Sequence, residues 1–319
     1  MRIRPIVTLS VVAAAAALVL SGCTASSTPA ASESPSATTA TDLCSAAAPT
    51  GAASEAVKVD GAFGTDSTAS FTSPLDIASL QRTVVTEGSG DPIQSGDYIS
   101  FALTGYDAST GAKLGSQGYT PGELAPAEVT TGTVLSQIVG CAAPGTRIVA
   151  VAPGTDASTP GTVYVVDVLS VMPLAATGEP QAPTAGFPTV TLDSTGAPTV
   201  ALPQGDIPTS FEKATLKKGD GPVVGVGDTV IVQYYGYSWN NDKMFDQSWG
   251  KQVFSFTVGT GVVQGFSDAV TGETVGSQVI AVLPPSAAYG DGAINDSDLK
   301  GQTLIFVVDI LGVQHAPAQ

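Results

Sequence analysis

Residues 228–258 read DTVIVQYYGYSWNNDKMFDQSWGKQVFSFTV, and both ends of this stretch have the composition of β-strands. Residues 228–235 and 254–258 are rich in Val, Ile and aromatic side chains and are bounded by turn-forming residues, as is typical of strands. Two more strands are predicted over residues 277–283 and 303–311, and one short helix over residues 267–270. Antiparallel strands with one short helix on one face predict an α+β domain of about 110 to 120 residues.

The first half of the chain repeats this pattern. Residues 82–90 align with residues 213–221 at a spacing of 131 positions, and their glycines coincide. Residues 165–169 align with residues 307–311 at a spacing of 142 positions, so the second copy is about 11 residues longer. A repeated order of turn glycines, aspartates and apolar runs predicts two tandem α+β domains.

Composition sets the boundaries of the two copies. Residues 174–188 carry Pro180, Pro183 and Pro188, and we expect a semi-extended linker there. The first domain is then predicted over residues 43–173 and the second over residues 189–315. Residues 24–42 consist mainly of Ala, Ser, Thr and Pro, which bury too little apolar surface to offset the entropy of ordering, so we expect a disordered stalk.

Residues 1–23 have the pattern of a bacterial export signal. Arg2 and Arg4 precede an apolar run over residues 6–20, which is about the length of a signal h-region and short for a membrane span. The run ends in Leu20-Ser21-Gly22-Cys23, which resembles a lipobox, so Cys23 is the predicted lipidation site. The alternative is an ordinary cleaved signal with a chance cysteine. The lipobox interpretation places the protein outside the cytoplasm, anchored to the cell membrane by lipid.

The other two cysteines are Cys44 and Cys141. Two thiols outside the cell favour a disulfide, which would tie the chain near Cys44 to the first domain. Two buried free cysteines are the alternative. A Cys/His nucleophilic pair is excluded because the single histidine, His315, lies four residues from the end, where we expect a surface tail.

Charge and composition exclude several functional classes. The sequence has 28 Asp and Glu against 12 Lys and Arg, with a pI near 4.1, so it would repel a phosphate backbone. Nucleic acid is therefore not an expected partner. No metal, nucleotide or redox cofactor site is expected, and we predict that the protein uses no cofactor.

Six motifs in the second copy resemble the FKBP-type peptidyl-prolyl isomerases. They occur in the order of that family and cover about a third of the chain. They are VIVQYYG at residues 230–236, KMFDQS at 243–248, FSFTVG at 254–259, VVQGF at 262–266, PPSAAYG at 284–290 and TLIFVVDIL at 303–311. The resemblance implies two tandem FKBP-like domains, each an antiparallel sheet wrapped on one short helix.

The resemblance also implies an aromatic pocket in the second domain. Its implied catalytic residues are Tyr234, Phe245, Asp246, Val263, Phe266, Tyr289 and Phe306. Its implied substrate-binding residues are Phe254, Val262, Phe256 beneath the pocket and Leu299 at its rim. Without the family, aromatics at alternate strand positions would indicate core packing, and Asp246 a solvated turn residue. Against that reading, Asp246 directly follows the apolar Phe245, and a buried tyrosine hydroxyl needs a partner.

The implied activity is cis-trans isomerisation of X-Pro bonds, with proline-containing exported polypeptides as substrates and macrolide inhibitors as candidate ligands. Two features depart from the family. Phe266 stands where the family usually has Trp, and residues 291–301 are rich in Asp and lack the family's IPP motif. Both departures bear on macrolide affinity and on substrate preference.

The first copy lacks the implied pocket residues. Leu103 aligns with Tyr234, Leu114 and Gly115 align with the Phe245-Asp246 pair, and no Ala-Tyr-Gly follows Pro153. We therefore expect a degenerate FKBP-like domain that acts as a scaffold or a client-binding module. The alternatives to an isomerase are a non-catalytic surface chaperone or binding module with this fold, and a structural cell-wall spacer. A spacer would not need the pocket motifs.

Overall fold

The computed structural model of the chain describes residues 42–156, 159–294 and 298–317. The predicted signal peptide, the predicted lipidation site Cys23 and nearly all of the predicted stalk lie outside these residues. All the described residues belong to one compact unit, Ala40–Gln319. Within the described ranges, none of the helices has the length and apolar content needed to span a bilayer.

The secondary structure is mostly strand, as the many short runs of Val, Ile and aromatics between glycines predict. The strands of the first half are β1 (Lys58–Asp60), β2 (Thr68–Ser70), β3 (Gln81–Thr86), β4 (Tyr98–Asp107), β5 (Lys113–Gln117), β6 (Ala127–Glu128), β7 (Arg147–Ala152) and β8 (Thr162–Val171). Those of the second half are β9 (Glu179–Pro180), β10 (Thr189–Leu192), β11 (Pro198–Ala201), β12 (Glu212–Lys218), β13 (Thr229–Ser238), β14 (Lys243–Gln247), β15 (Phe254–Thr257), β16 (Gln278–Leu283) and β17 (Leu304–Gln314). The helices are α1 (Leu43–Ala46), α2 (Ala52–Glu55), α3 (Val134–Val139) and α4 (Gln264–Val270), and a 3-10 helix covers Pro285–Ala287.

The two halves are copies of one fold. The first antiparallel sheet has the order β3-β7-β8-β4-β5, with β6 paired to β4, and the second has the order β14-β13-β17-β16-β12-β9, with β15 paired to β13. Even the irregularities coincide: the pairing shifts after Gly105 in the first sheet and after Gly236 in the second. The predicted α+β class with antiparallel sheets is confirmed.

Helix α4 covers one face of the second sheet. Phe266, Ala269 and Val270 are buried there in one cluster with strand residues such as Val279. The helix starts at Gln264, earlier than the predicted residue 267, because Val263 is extended and serves as its N-cap. Lys213 Nζ donates to the Thr271 carbonyl oxygen across 2.8 Å and so compensates the negative end of the helix. This packing fixes the start of α4 at the edge of the candidate site.

The additional residues of the second copy lie between its last two core strands. Residues 284–303 join β16 to β17, whereas residues 153–161 join the corresponding β7 and β8. The longer loop contains the 3-10 helix and Tyr289. The extra length of the second copy therefore falls in the segment that carries Tyr289.

The predicted linker is extended, but it is part of the second sheet. Its Pro180 pairs with Lys217 on the outer edge of β12. The Ala176 amide donates across 2.7 Å to Oδ2 of the buried Asp309. Burial raises the pKa of Asp309, and the donors from Ala176 and Gln278 partly offset that cost. A buried carboxylate needs hydrogen-bond donors, which explains why this segment packs against the second sheet.

A hairpin that the sequence pattern did not predict covers the other face of the second sheet. Strands β10 and β11 pair from Thr189↔Ala201 to Leu192↔Pro198. Val190 and Val200 pack against a cluster that includes the fully buried Ile280. The strands are four residues each and are bounded by prolines, so their periodicity was too short to recognise.

The first half has two further helices, α1 and α2, where the sequence predicted one short helix for each domain. The Asp42 side chain accepts a hydrogen bond of 3.0 Å from the Cys44 amide and caps α1. Leu43 is buried in a cluster with Ile93 and Val139. A disulfide joins Cys44 to Cys141, with a Cα–Cα distance of 4.7 Å, and holds α1 against the end of α3.

The halves share an apolar contact and a polar one. Met172 of the first half is buried in one cluster with Ile231 and Leu311 of the second. His315, expected in a surface tail, has a side chain 41% exposed, and its Nδ1 lies 2.9 Å from Oδ2 of Asp228. The His315 backbone amide donates to the Gly122 carbonyl oxygen across 2.7 Å. His315 thus connects the two copies.

Candidate active site

The predicted pocket residues converge on one cavity of about 190 Å³ on the helix side of the second sheet. It is lined by Tyr234, Phe245, Asp246, Phe254, Gly261, Val262, Val263, Phe266, Tyr289 and Phe306. These residues come from four strands, the entry to α4 and the loop that follows the 3-10 helix. The structure therefore brings together residues that lie up to 72 positions apart in the sequence.

Strand alternation decides which side chains enter the cavity. On β13, Tyr234 lines the cavity, whereas its neighbour Tyr235 packs in the cluster on the opposite face of the sheet. On β14, Asp246 pairs with Gly236, and the absence of a side chain at Gly236 leaves room for the Phe245 ring. A Cβ on Gly236 would come within 2.6 Å of that ring. The glycine after the two tyrosines thus leaves the Phe245 ring the space that it occupies.

Aromatic rings in edge-to-face contact make the base of the cavity. The Phe266 ring centroid lies 4.9 Å from that of Phe306, with an interplanar angle of 86°. It lies 5.8 Å from that of Tyr234, at 88°. Phe256 is buried beneath, 5.2 Å from Phe266, and does not line the cavity itself. Such contacts fix the rings beyond what area burial alone provides.

Tyr234 and Asp246 form the polar side of the cavity. The Tyr234 hydroxyl donates to Asp246 Oδ2 across 2.5 Å, and the Gln247 amide donates to Oδ1 across 2.8 Å. Lys251 Nζ lies 3.5 Å from Oδ1. Partial burial would raise the pKa of Asp246, but these three groups outweigh it and hold that pKa below its usual value. Burial, followed by the bond to Asp246, raises the pKa of Tyr234.

Two groups at the cavity are free to bind a ligand. Tyr289 is 49% exposed although it lines the cavity. The Val263 carbonyl oxygen accepts from the Phe266 amide across 3.0 Å, whereas its own amide donates to no other residue that the structure describes. A phenolic hydroxyl and a backbone N–H are both donors suited to carbonyl oxygens of a peptide.

Sequence reasoning misplaced one residue and missed others. Leu299 packs at the margin of the core cluster and is outside the cavity lining. Gly261 lines the cavity, and its φ of +79° requires glycine. Ser248 accepts from the Tyr234 amide across 2.9 Å and so holds the strand end that carries the tyrosine. Gly261, in the turn before VVQGF, and Ser248, at the end of KMFDQS, could have been recognised in the sequence. The contact of Lys251 with Asp246 could not, because it depends on the fold.

The first sheet keeps the framework of this site without its side chains. Gly115 pairs with Gly105, as Asp246 pairs with Gly236, so a glycine occupies the position of the carboxylate. Leu103 pairs with Val166, as Tyr234 pairs with Val308. Leu114 is 62% exposed instead of packing into a cavity. The register thus places Leu103, Leu114 and Gly115 where the alignment predicted.

Across the ranges that the structure describes, no three His, Cys, Asp or Glu side chains come together in an arrangement that could hold a metal ion.

Comparison with known proteins relates the second copy to a single family. Residues 221–311 match the family model described as FKBP-type peptidyl-prolyl cis-trans isomerase. The FK506-binding protein of Streptomyces anulatus is 37% identical over 119 residues, which are 36% of this chain and 96% of that protein. The Probable FK506-binding protein of Corynebacterium glutamicum is 30% identical over 114 residues, with the same coverage of both chains. The crystal structure of FkpA from Escherichia coli is similar over 43% of this chain and 55% of that one, with 28% identity and a TM-score of 0.31.

Proposed function

The chain belongs to the FKBP-type peptidyl-prolyl cis-trans isomerase family, and on that premise we propose that the aromatic cavity of its second domain accelerates X-Pro bond rotation in exported or surface proteins. The observation that supports this site best is the convergence of Tyr234, Asp246, Phe266 and Tyr289 on one cavity. A structural spacer would not need a half-exposed tyrosine and a partnered carboxylate at the edge of an apolar cavity.

The mechanism we propose is non-covalent. Resonance holds the amide planar, and rotation must cross a barrier of about 18 to 20 kcal/mol. Unaided rotation of an X-Pro bond takes about 10 to 100 s. A twisted amide has lost charge separation, so an apolar cavity disfavours it less than it disfavours the planar amide that water solvates well. Binding is then stronger for the transition state than for the ground state, which is what accelerates a reaction.

Each residue of the cavity has a proposed role. Phe266, buried and held by Phe306 and Phe256, is the platform for the proline ring. The Tyr289 hydroxyl and the Val263 amide bind carbonyl oxygens of the substrate. Asp246 is held ionised by its three partners, and it orients the substrate and Tyr234 through hydrogen bonds.

Macrolide binding is a further proposal. The two relatives are named for binding FK506. In this chain a phenyl ring, Phe266, forms the base of the cavity where the family usually has an indole, which reduces the apolar area available to a flat ligand. We expect FK506 to inhibit the isomerase and to bind it more weakly after Phe266→Leu.

We also propose that the protein is exported and anchored by lipid on Cys23. The disulfide between Cys44 and Cys141 supports an oxidising compartment, since disulfides are rare where thiols are kept reduced. The lipobox at residues 20–23 supports the anchor. Mass spectrometry of the mature protein should find an acylated Cys23 at its N-terminus, and an unmodified N-terminus elsewhere would refute the anchor.

The first domain is proposed to bind clients or to act as a scaffold, because its framework is intact while its pocket side chains are absent. A non-catalytic surface chaperone is the second candidate for the whole chain.

An isomerase assay on a short X-Pro peptide tests the function. The double variant Asp246→Val, Tyr289→Phe removes about two hydrogen bonds of about 1 kcal/mol each and should lower kcat/KM by about 30-fold. Tyr235→Phe, on the opposite face of the same strand, is the matched control and should leave kcat/KM unchanged. If the wild type and the double variant both show only the uncatalysed rate, a chaperone is the better description.

A further inference from the structure

The outer edges of the two sheets are equivalent strands. Strand β3 pairs with β7, and β12 pairs with β16. Both strands have the same irregularity, between Val84 and Thr86 in the first copy and between Thr215 and Lys217 in the second. Val85 therefore corresponds to Leu216, and the two edges can be compared residue by residue.

The chain itself occupies this edge in the second copy. Pro180 and Glu179 pair antiparallel with Lys217 and Lys218. The Gln181 amide donates across 2.8 Å to the Leu216 carbonyl oxygen. The preceding Gly178 lies so close that a Cβ there would come within 2.4 Å of the Lys218 carbonyl carbon. An extended, proline-containing segment is thus an added strand on this edge.

The same edge is open in the first copy. No strand among the residues that the structure describes pairs with the outer side of β3. Val85 lies at the irregularity and has no partner in the β7 register, and no described residue outside the strand ladder donates to its carbonyl oxygen, the counterpart of that of Leu216. Val85 is 43% exposed, whereas Leu216 packs in a cluster with Phe187 and Val190.

The segment that precedes β3 is held at the other end of the strand. The Arg82 amide donates to the Pro49 carbonyl oxygen across 3.1 Å, and the Ala48 amide donates to the Gln137 carbonyl oxygen across 2.8 Å. The disulfide from Cys44 to Cys141 keeps this segment beside α3. It therefore covers the start of β3 and leaves residues 84–87 uncovered.

We propose that residues 84–87 bind an extended, proline-containing stretch of an unfolded polypeptide as an added antiparallel strand. Unpaired N–H and C=O groups on an edge strand are a template for such pairing, and main-chain hydrogen bonds supply its affinity. The linker shows that the added strand tolerates proline, since Pro180 takes this place in the second copy. The identity of the client as a proline-containing chain rests on the proposed isomerase function.

The consequence is a division of labour between the two copies. A client held on β3 has its other proline bonds at a raised effective concentration near the cavity of the second domain. A tetrapeptide paired with β3 has no further proline bond to present to the cavity. The edge should therefore matter for unfolded proteins and not for tetrapeptides.

Binding of a permanently unfolded protein to the full chain tests the proposal. The probe is fluorescently labelled, reduced and carboxymethylated α-lactalbumin, followed by anisotropy. Val85→Lys places a charge on the exposed edge and should weaken binding by about tenfold, and Val85→Glu should act alike. Val134→Lys is the matched control, because Val134 is 62% exposed in the same domain and lies on α3. Thermal unfolding shows whether each variant is folded.

Hydrogen exchange locates the contact. We expect those amides of residues 84–87 that face away from β7 to gain protection when the probe is added. The proposal is overturned if the probe does not bind, if Val134→Lys weakens binding as much as Val85→Lys, or if these outward-facing amides are already protected in the free chain, which would place the chain's own residues on the edge. Isomerase activity on a short peptide, measured separately, should be unchanged by Val85→Lys. If the wild type shows no isomerase activity, the proposed function is refuted, whereas the proposal that the β3 edge binds a polypeptide is not affected.

Discussion

The Tyr234 hydroxyl donates a hydrogen bond of 2.5 Å to Oδ2 of Asp246, between two neighbouring strands of the second sheet. Both groups keep their protonation state over a wide range of pH. Burial and the bond to Asp246 raise the pKa of Tyr234, so its hydroxyl keeps its proton and remains a donor at a pH above its usual pKa of 10.0. The pKa of Asp246 is held below 3.8 despite partial burial, so it stays an acceptor.

We therefore expect kcat/KM on a short X-Pro peptide to be constant from about pH 5 to pH 9. The carboxylate is the charged form, and its lowered pKa means that the charge is lost only as the pH falls through that value, below 3.8. Exchange NMR at a series of pH values measures this directly. A titration of kcat/KM near pH 6 to 7 that persists in Asp246→Asn would show that another group controls the reaction.

The docked linker predicts a difference between two fragments. A fragment of residues 189–319 lacks Ala176, whose amide binds the buried Asp309, and also lacks β9. A fragment of residues 174–319 keeps both. We expect the shorter one to be less stable to urea by about 1 to 3 kcal/mol, the usual cost of a buried polar group left unpaired.

Both fragments contain Trp239 and Trp249, the only tryptophans of the chain, so fluorescence reports their unfolding. Isomerase activity on short peptides should be the same in both below the unfolding transition. Equal stability would mean that residues 174–188 are a spacer, as the composition alone suggested.

Loss of the disulfide should act on the first domain alone. Cys44 and Cys141 are 97 positions apart, and closing so long a loop restricts the unfolded chain. We expect the double variant Cys44→Ser, Cys141→Ser to lower the free energy of unfolding of the first domain by about 2 to 4 kcal/mol. Hydrogen exchange in β7 and β8 measures that loss. A matching loss of short-peptide activity would contradict the placement of the active site.

Much of the fold could be predicted from the sequence where the periodicity was long. Residues 228–235 and 303–311, rich in Val and Ile, became the central strands β13 and β17. The repeat predicted the sheet of the first half, because a spacing of 131 positions carries the register of β13 and β14 over to β4 and β5. The hairpin of β10 and β11 escaped because each of its strands has four residues.

The candidate site could be predicted only through motifs. Hydrophobicity alone would have left Phe266 and Phe306 as core residues, and both are indeed nearly buried, at 4% exposure each. What local sequence could not show is the contact of Lys251 with Asp246, or the packing of Leu299 away from the cavity. The first depends on how the chain turns back after β14, and the second on how the loop between β16 and β17 packs on the core, and neither spacing nor composition shows these.

The central claim is that the side chains that differ between the two copies decide where catalysis occurs. Exchange NMR of a short X-Pro peptide with the full chain tests it without a coupling protease. The triple variant Tyr234→Leu, Phe245→Leu, Asp246→Gly gives the second sheet the residues that Leu103, Leu114 and Gly115 provide in the same register, so the sheet should still fold. We predict enhanced cis-trans exchange with the wild type and the uncatalysed rate with the variant. Undiminished exchange with the folded variant would contradict the assignment of catalysis to this cavity.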